Sequence, residues 1–199
     1  MCIWVAENNL TSLYKSVFAG ILIGLAAIVS AYASYPQIIF AVGLISVIYC
    51  RGSLYTGMIG KAHLSEYKQV ILVLLGNLIG VWIMCGYTIG FINIELFTKS
   101  IQIKESFTLL YVLISSIFCG ILMCVATVLN SNRNILVIVF CIAAFILGKF
   151  PHCIADTFYL SLDGIDLHDI IYIVHAIIGN TVGAKLAYWC AGGNHNEIS

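Results

Sequence analysis

Few side chains in this sequence could do chemistry, and they stand out because their neighbours are apolar. His152 follows Gly148, Lys149, Phe150 and Pro151 and interrupts an otherwise hydrophobic stretch. Ionisable groups inside apolar segments are costly and mark working sites by default. An imidazole, with an ordinary pKa of about 6.5, can hold or relay a proton near neutrality. The plain alternative is a neutral histidine bonded to backbone in a packed loop. Thr56 follows a similar interruption, Arg51, Gly52 and Ser53. Its hydroxyl can donate to an anion or accept from an imidazole, or bond its own helix. Lys104 precedes a long apolar run, where an ammonium either raises the local anion concentration or simply faces solvent. Arg51 and Asp156 lie in or beside the two interruptions, so each needs water or a partner. One possibility is that they neutralise each other.

These residues sit in a chain that cannot cover itself with a water-facing surface. Of its 199 residues, 61% are hydrophobic and 9% charged, against about 25% charged in soluble domains. The formal net charge is zero, which leaves no electrostatic case for a nucleic-acid partner. The eight cysteines form no Cys-x-x-Cys pair and are scattered through apolar runs. They read as small packing residues rather than a disulfide framework. Five histidines are present, but no pair stands four apart beside a carboxylate. A membrane-embedded metal or haem enzyme is therefore the weaker reading, and neither metal nor cofactor is expected. His168 and His175 suit packing or interface roles, and His63 and His195 fall in a loop and the tail. The first 15 residues mix polar and apolar types, unlike a cleavable leader, so the first span is expected to serve as its own insertion signal.

A helix crosses a bilayer with about 20 apolar residues. Runs over 16–34, 69–92, 107–129 and 170–190 meet that length and predict full spans. Two further runs, 38–50 and 135–147, are too short and end in polar or helix-breaking residues. Each covers about 20 Å of a core about 30 Å thick. Each then turns apolar again, which predicts two broken helices. Irregular backbone at that depth must line a cavity or be buried in protein. The order full, broken, full then recurs. Gly76-Asn77-Leu78-Ile79-Gly80 in the third segment matches Gly179-Asn180-Thr181-Val182-Gly183 in the sixth. The expectation is an all-α membrane protein of one channel domain over 1–199. Its six segments form an inverted 3+3 repeat with halves at about 16–92 and 107–190, a layout like that of the aquaporins, and the site lies where the halves meet. Glycines four apart (Gly20 and Gly24, Gly76 and Gly80, Gly86 and Gly90, Gly179 and Gly183) suit close helix packing. Asn77 and Asn180 would bond backbone freed by the breaks. Basic residues in short loops favour both termini in the cytoplasm of a cell inner membrane, with Lys15, Lys61, Lys68 and Arg133 inside and Lys99 and Lys104 outside.

The motifs resemble the formate/nitrite transporter family. Gly43-Leu44-Ile45 with Leu54-Tyr55-Thr56 is similar to that family's Gly-Leu-Ile and Leu-Phe-Thr. The run Phe150-Pro151-His152-Cys153-Ile154-Ala155-Asp156 is similar to its Phe-Glu-His-Ser-Ile-Ala-Asn. Residues 116–126 resemble its fourth-helix pattern. The resemblance spans about 18–182. It implies a homopentamer with one pore per protomer and no enzymatic activity. It also implies small monovalent anions as partners, namely formate, nitrite, hydrosulfide, lactate or acetate. His152 and Thr56 would form the pore centre. Phe40, Leu44 and Phe145 would form an outer constriction, Leu54 and Tyr55 an inner one, and Lys104 would sit in the vestibule. The chain departs from the family pattern at Ser53, Pro151, Asp156, Gly120 and Arg51, all around the selectivity loops.

The reading is then a membrane channel or transporter for small anions or their conjugate weak acids, with a proton coupled through the central histidine. An aquaporin-like pore for neutral solutes has a similar layout, but the paired Asn-Pro-Ala runs it would need are absent. An accessory membrane subunit would not explain two matched breaks with polar residues at mid-depth.

Overall fold

The computed structural model describes residues 8–193, and every regular element among them is helical. Besides two short 3-10 turns at Leu64–Glu66 and Ile94–Phe97, these are, in chain order, α1 (Asn9–Ala31), α2 (Pro36–Tyr49), α3 (Tyr55–Met58), α4 (Tyr67–Phe91), α5 (Thr98–Glu105), α6 (Leu109–Ala126), α7 (Ile135–Leu147), α8 (Cys153–Ser161) and α9 (Leu167–Cys190). α1, α4, α6 and α9 are long and apolar enough to cross a membrane. The helix starts follow local chemistry. Asn8, Thr108 and Asn134 each accept a backbone N–H from the first turn of α1, α6 and α7. Asp166 and Asp169 form a capping box on α9. α1 begins earlier than its apolar run, at Asn9 directly after the Asn8 cap, through two turns of mixed polar and apolar residues. α5 was not foreseen. It is a polar helix with a single buried residue, Ile101, and no apolar run announces it.

The core pairs α1 with α4 and α6 with α9, while α2 lies against α7. The long pairs meet backbone to backbone. A side chain at Gly20 would strike the Asn77 carbonyl, and one at Gly120 would strike the Asn180 carbonyl. Likewise the Ser16 hydroxyl fills the space over Gly76, and the Ser116 hydroxyl fills that over Gly179. Each serine hydroxyl donates back to its own helix, at Leu13 O (2.7 Å) and Leu113 O (3.0 Å). Small residues at such crossings are the expected device between membrane helices. Gly86 and Gly90 do not share it: among the described residues, a side chain at either would meet nothing within 4 Å. That pair is exposed.

The two short helices end in one way. After α2, Arg51 N donates to Ile48 O (3.3 Å) and Gly52 N to Val47 O (2.8 Å). After α7, Lys149 N donates to Ile146 O (3.1 Å) and Phe150 N to Phe145 O (3.0 Å). Both are Schellman closures, whose turning residue is left-handed and usually glycine. Here it is basic in each case, Arg51 at φ 55° and Lys149 at φ 53°. A cation at a helix C-terminus offsets part of the backbone cost through the helix dipole. The pieces after the breaks are unequal: α3 has 4 residues and α8 has 9.

Candidate functional site

Each break leaves extended backbone without helical partners, and one buried amide supplies them. Asn77 Oδ1 accepts from Tyr55 N (2.8 Å), and its Nδ2 donates to Ser16 O (2.8 Å) and Ser53 O (2.8 Å). Asn180 Oδ1 accepts from Cys153 N (2.9 Å), and its Nδ2 donates to Ser116 O (2.8 Å) and Pro151 O (3.0 Å). Both asparagines are fully buried. Each therefore ties the two sides of its break to a neighbouring long helix. This is the role expected for the Gly-Asn-x-x-Gly runs.

Held this way, the breaks meet. Thr56 Oγ1 lies 3.1 Å from His152 Nε2, and the two residues are 1% and 2% exposed. His152 is also the N-cap of α8, with its Nδ1 accepting the Ala155 N–H at 3.1 Å. A neutral ring in that pose carries its hydrogen on Nε2 and donates it to the Thr56 hydroxyl. The Phe145 ring lies 5.6 Å from the imidazole, and Phe40 meets Phe145 edge to face at 6.0 Å. Leu44 is buried near them in sequence on α2, as are Leu54 and Tyr55 directly before Thr56. The Tyr55 hydroxyl shares a 2.7 Å hydrogen bond with Thr181 Oγ1. A cavity of about 350 Å³ opens beyond the phenylalanines. Phe40, Phe145, Lys99, Lys104, Lys149 and Asp156 contribute to its lining.

Of the two options open to these charges, a partner or water, Asp156 takes a partner other than Arg51, and Arg51 is exposed. Asp156 is 2% exposed. Its Oδ1 takes Lys104 Nζ at 2.5 Å, and its Oδ2 accepts Tyr172 OH (2.7 Å) and His152 N (3.2 Å). Lys104 also stands 5.0 Å from the centre of the Tyr159 ring. Arg51 does not reach Asp156. It is exposed at the turn after α2, whereas the segment carrying α5 brings Lys104 onto the first turn of α8. Sequence reasoning missed Tyr159, one turn after Asp156 on α8, and Tyr172, on the following helix α9. The one available signal was a carboxylate in the first turn of a helix that His152 begins. His175 Nδ1 bonds Ile171 O (2.7 Å) within its own helix, and His168 is exposed. His63 N donates to Glu66 Oε2 (2.7 Å), and His195 lies outside the described residues. Asp166, His168 and Asp169 place three ligand atoms together, but the capping-box bonds account for both carboxylates.

Comparison with known proteins bears on the fold and the family. No curated protein matches the chain. Solved structures do, and two of them share 20% identity with it. One is described as a pentameric formate channel with formate bound, with a TM-score of 0.75 over 94% of this chain and 98% of that one. The other is described as an FNT family ion channel, with a TM-score of 0.78 over 94% and 92%. At that identity the likeness establishes the helical channel fold. The family model for formate/nitrite transporters matches residues 5–191. The paired breaks, the buried histidine between them and the motif order stand on a chain matched nearly end to end, and it belongs to the formate/nitrite transporter family, as a multi-pass membrane transport protein and not an enzyme.

Proposed function

We propose that this chain is a conduit for small monovalent anions and their conjugate weak acids, with formate and nitrite first and hydrosulfide, lactate and acetate as further candidates. The observation that carries the reading is the buried Thr56–His152 contact at 3.1 Å between two separate breaks. Two half-chains at about 16–92 and 107–190, inverted and together giving six membrane segments, would make that meeting a consequence of symmetry. The matched asparagine clamps and the matched Schellman closures support this layout. Phe40, Leu44 and Phe145 serve as the outer constriction, and Leu54 and Tyr55 as the inner one. The protein works as a homopentamer in the cell inner membrane with both termini cytoplasmic. The termini themselves lie outside the described residues.

The chemistry follows from the cost of burying charge. A bare anion between apolar rings is strongly disfavoured, but a weak acid can take up a proton and cross neutral, since desolvation raises its pKa. His152 assists from Nε2. Its Nδ1 is occupied as a helix cap, so a neutral ring that gave up the Nε2 proton would become an anion itself. His152 therefore polarises the substrate by hydrogen bonding, together with Thr56, while water supplies the proton. Proteoliposome uptake of formate, nitrite and hydrosulfide at two pH values tests the reading. Uptake above empty liposomes that rises as pH falls is expected. Uptake of none of the three would contradict it.

A further inference from the structure

We infer that Lys99 and Lys149 are the charges that draw anions into the cavity beyond Phe40 and Phe145. Lys104 stands where the family resemblance implies a vestibule lysine, and it acts here as an internal strut. The inference rests on the transport reading above.

Three lysines and one aspartate contribute charge to the cavity lining. Lys104 and Asp156 are bonded at 2.5 Å, with side-chain exposures of 18% and 3%. Seen from several ångströms away, such a pair acts as a dipole, and its field is far weaker than that of a free ammonium. Asp156 is also held by Tyr172 OH and His152 N. An entering anion could take Lys104 only by leaving a buried carboxylate unpaired, which is strongly unfavourable. Lys99 and Lys149 differ. Both are exposed and line the same cavity, and neither forms an ion pair among the described residues. Lys149 is set at the rim by the left-handed turn that closes α7, and Lys99 by the first turn of α5. Two uncompensated positive charges at the mouth of a low-dielectric cavity raise anion entry, and added salt weakens that effect.

The test measures formate uptake into proteoliposomes at low and high ionic strength, over a range of formate concentrations. The Lys99→Gln/Lys149→Gln double variant is expected to lose about 3- to 10-fold of uptake at sub-saturating formate and low salt. Its maximal rate should hold, and its salt dependence should flatten. Both side chains are exposed, and losing the Lys149 charge at the C-terminus of α7 is a small enough change for the fold to hold. Lys104→Met/Asp156→Asn removes the internal pair as a unit and is expected to keep the wild-type salt dependence, whatever its maximal rate. The inference is overturned if the first variant keeps the wild-type salt dependence or the second one flattens it. If the unaltered protein takes up no formate, the transport reading fails and this inference falls with it.

Discussion

Asn180 holds the second break by the same three hydrogen bonds with which Asn77 holds the first: one accepted from the residue that restarts the chain, one given to the break, and one given to a neighbouring long helix. Two amides thus fix the geometry that brings Thr56 to His152. Replacing Asn180 by Leu would strand the Cys153 N–H and the Pro151 carbonyl in a dry interior. Each stranded group costs about 1–3 kcal/mol. Asn180→Leu should therefore lower the melting temperature of the purified protein clearly and abolish uptake. A variant that melts like the wild type would show that the clamp is dispensable.

The glycines give a paired prediction. Gly120→Ala places a methyl group against the Asn180 carbonyl and should destabilise by about 1–3 kcal/mol, the usual cost of overpacking. Gly86→Ala meets nothing within 4 Å among the described residues. It should leave the protomer's stability unchanged or raise it by up to about 1 kcal/mol, the helix-propensity gain of alanine over glycine. Thermal unfolding of both variants in detergent checks the contrast. Equal effects would contradict the backbone-contact packing of α6 on α9.

The ion pair should behave as a unit. Lys104→Met leaves the carboxylate of Asp156 buried without its cation, a loss of about 3–5 kcal/mol for a pair of this kind. Adding Asp156→Asn removes the orphaned charge and should restore most of that stability. A double-mutant cycle read by thermal unfolding measures the coupling, and additive effects would contradict it.

Proton supply gives a pH prediction with a definite sign. If water neutralises the anion while His152 only polarises it, formate uptake rises as pH falls, because more of the acid is protonated. His152→Asn keeps a side chain able to cap α8 but loses the Nε2 donor. It should lower the amplitude at every pH and keep the shape of the profile. A profile that loses a step near neutral pH in the variant would instead assign the proton to the imidazole.

Much of this was legible because membrane segments announce themselves by length and hydropathy. α7 occupies the same residues as its apolar run, bounded by the Asn134 cap and the Gly148 turn. The two breaks were readable for the same reason, since a run of about 20 Å cannot cross. What escaped depended on chemistry that hydropathy does not record. α5 is polar, with one buried residue. The partner of Asp156 came from a segment 52 residues away that only the folded chain brings near. Arg51 and Asp156 both lie beside a break in sequence, but the helix closure leaves Arg51 exposed while Asp156 pairs with Lys104. The second role of His152, as a helix cap, became visible only once α8 was seen to start at Cys153.

The central claim is that an imidazole from one break and a hydroxyl from the other act together on the passing substrate. It is tested most directly by formate flux through proteoliposomes carrying wild type, His152→Asn or Thr56→Val, with matched protein incorporation and confirmed folding. The account predicts at least a 10-fold loss in each variant, equivalent to about 1.4 kcal/mol or more on the barrier. Wild-type flux through folded His152→Asn would contradict it.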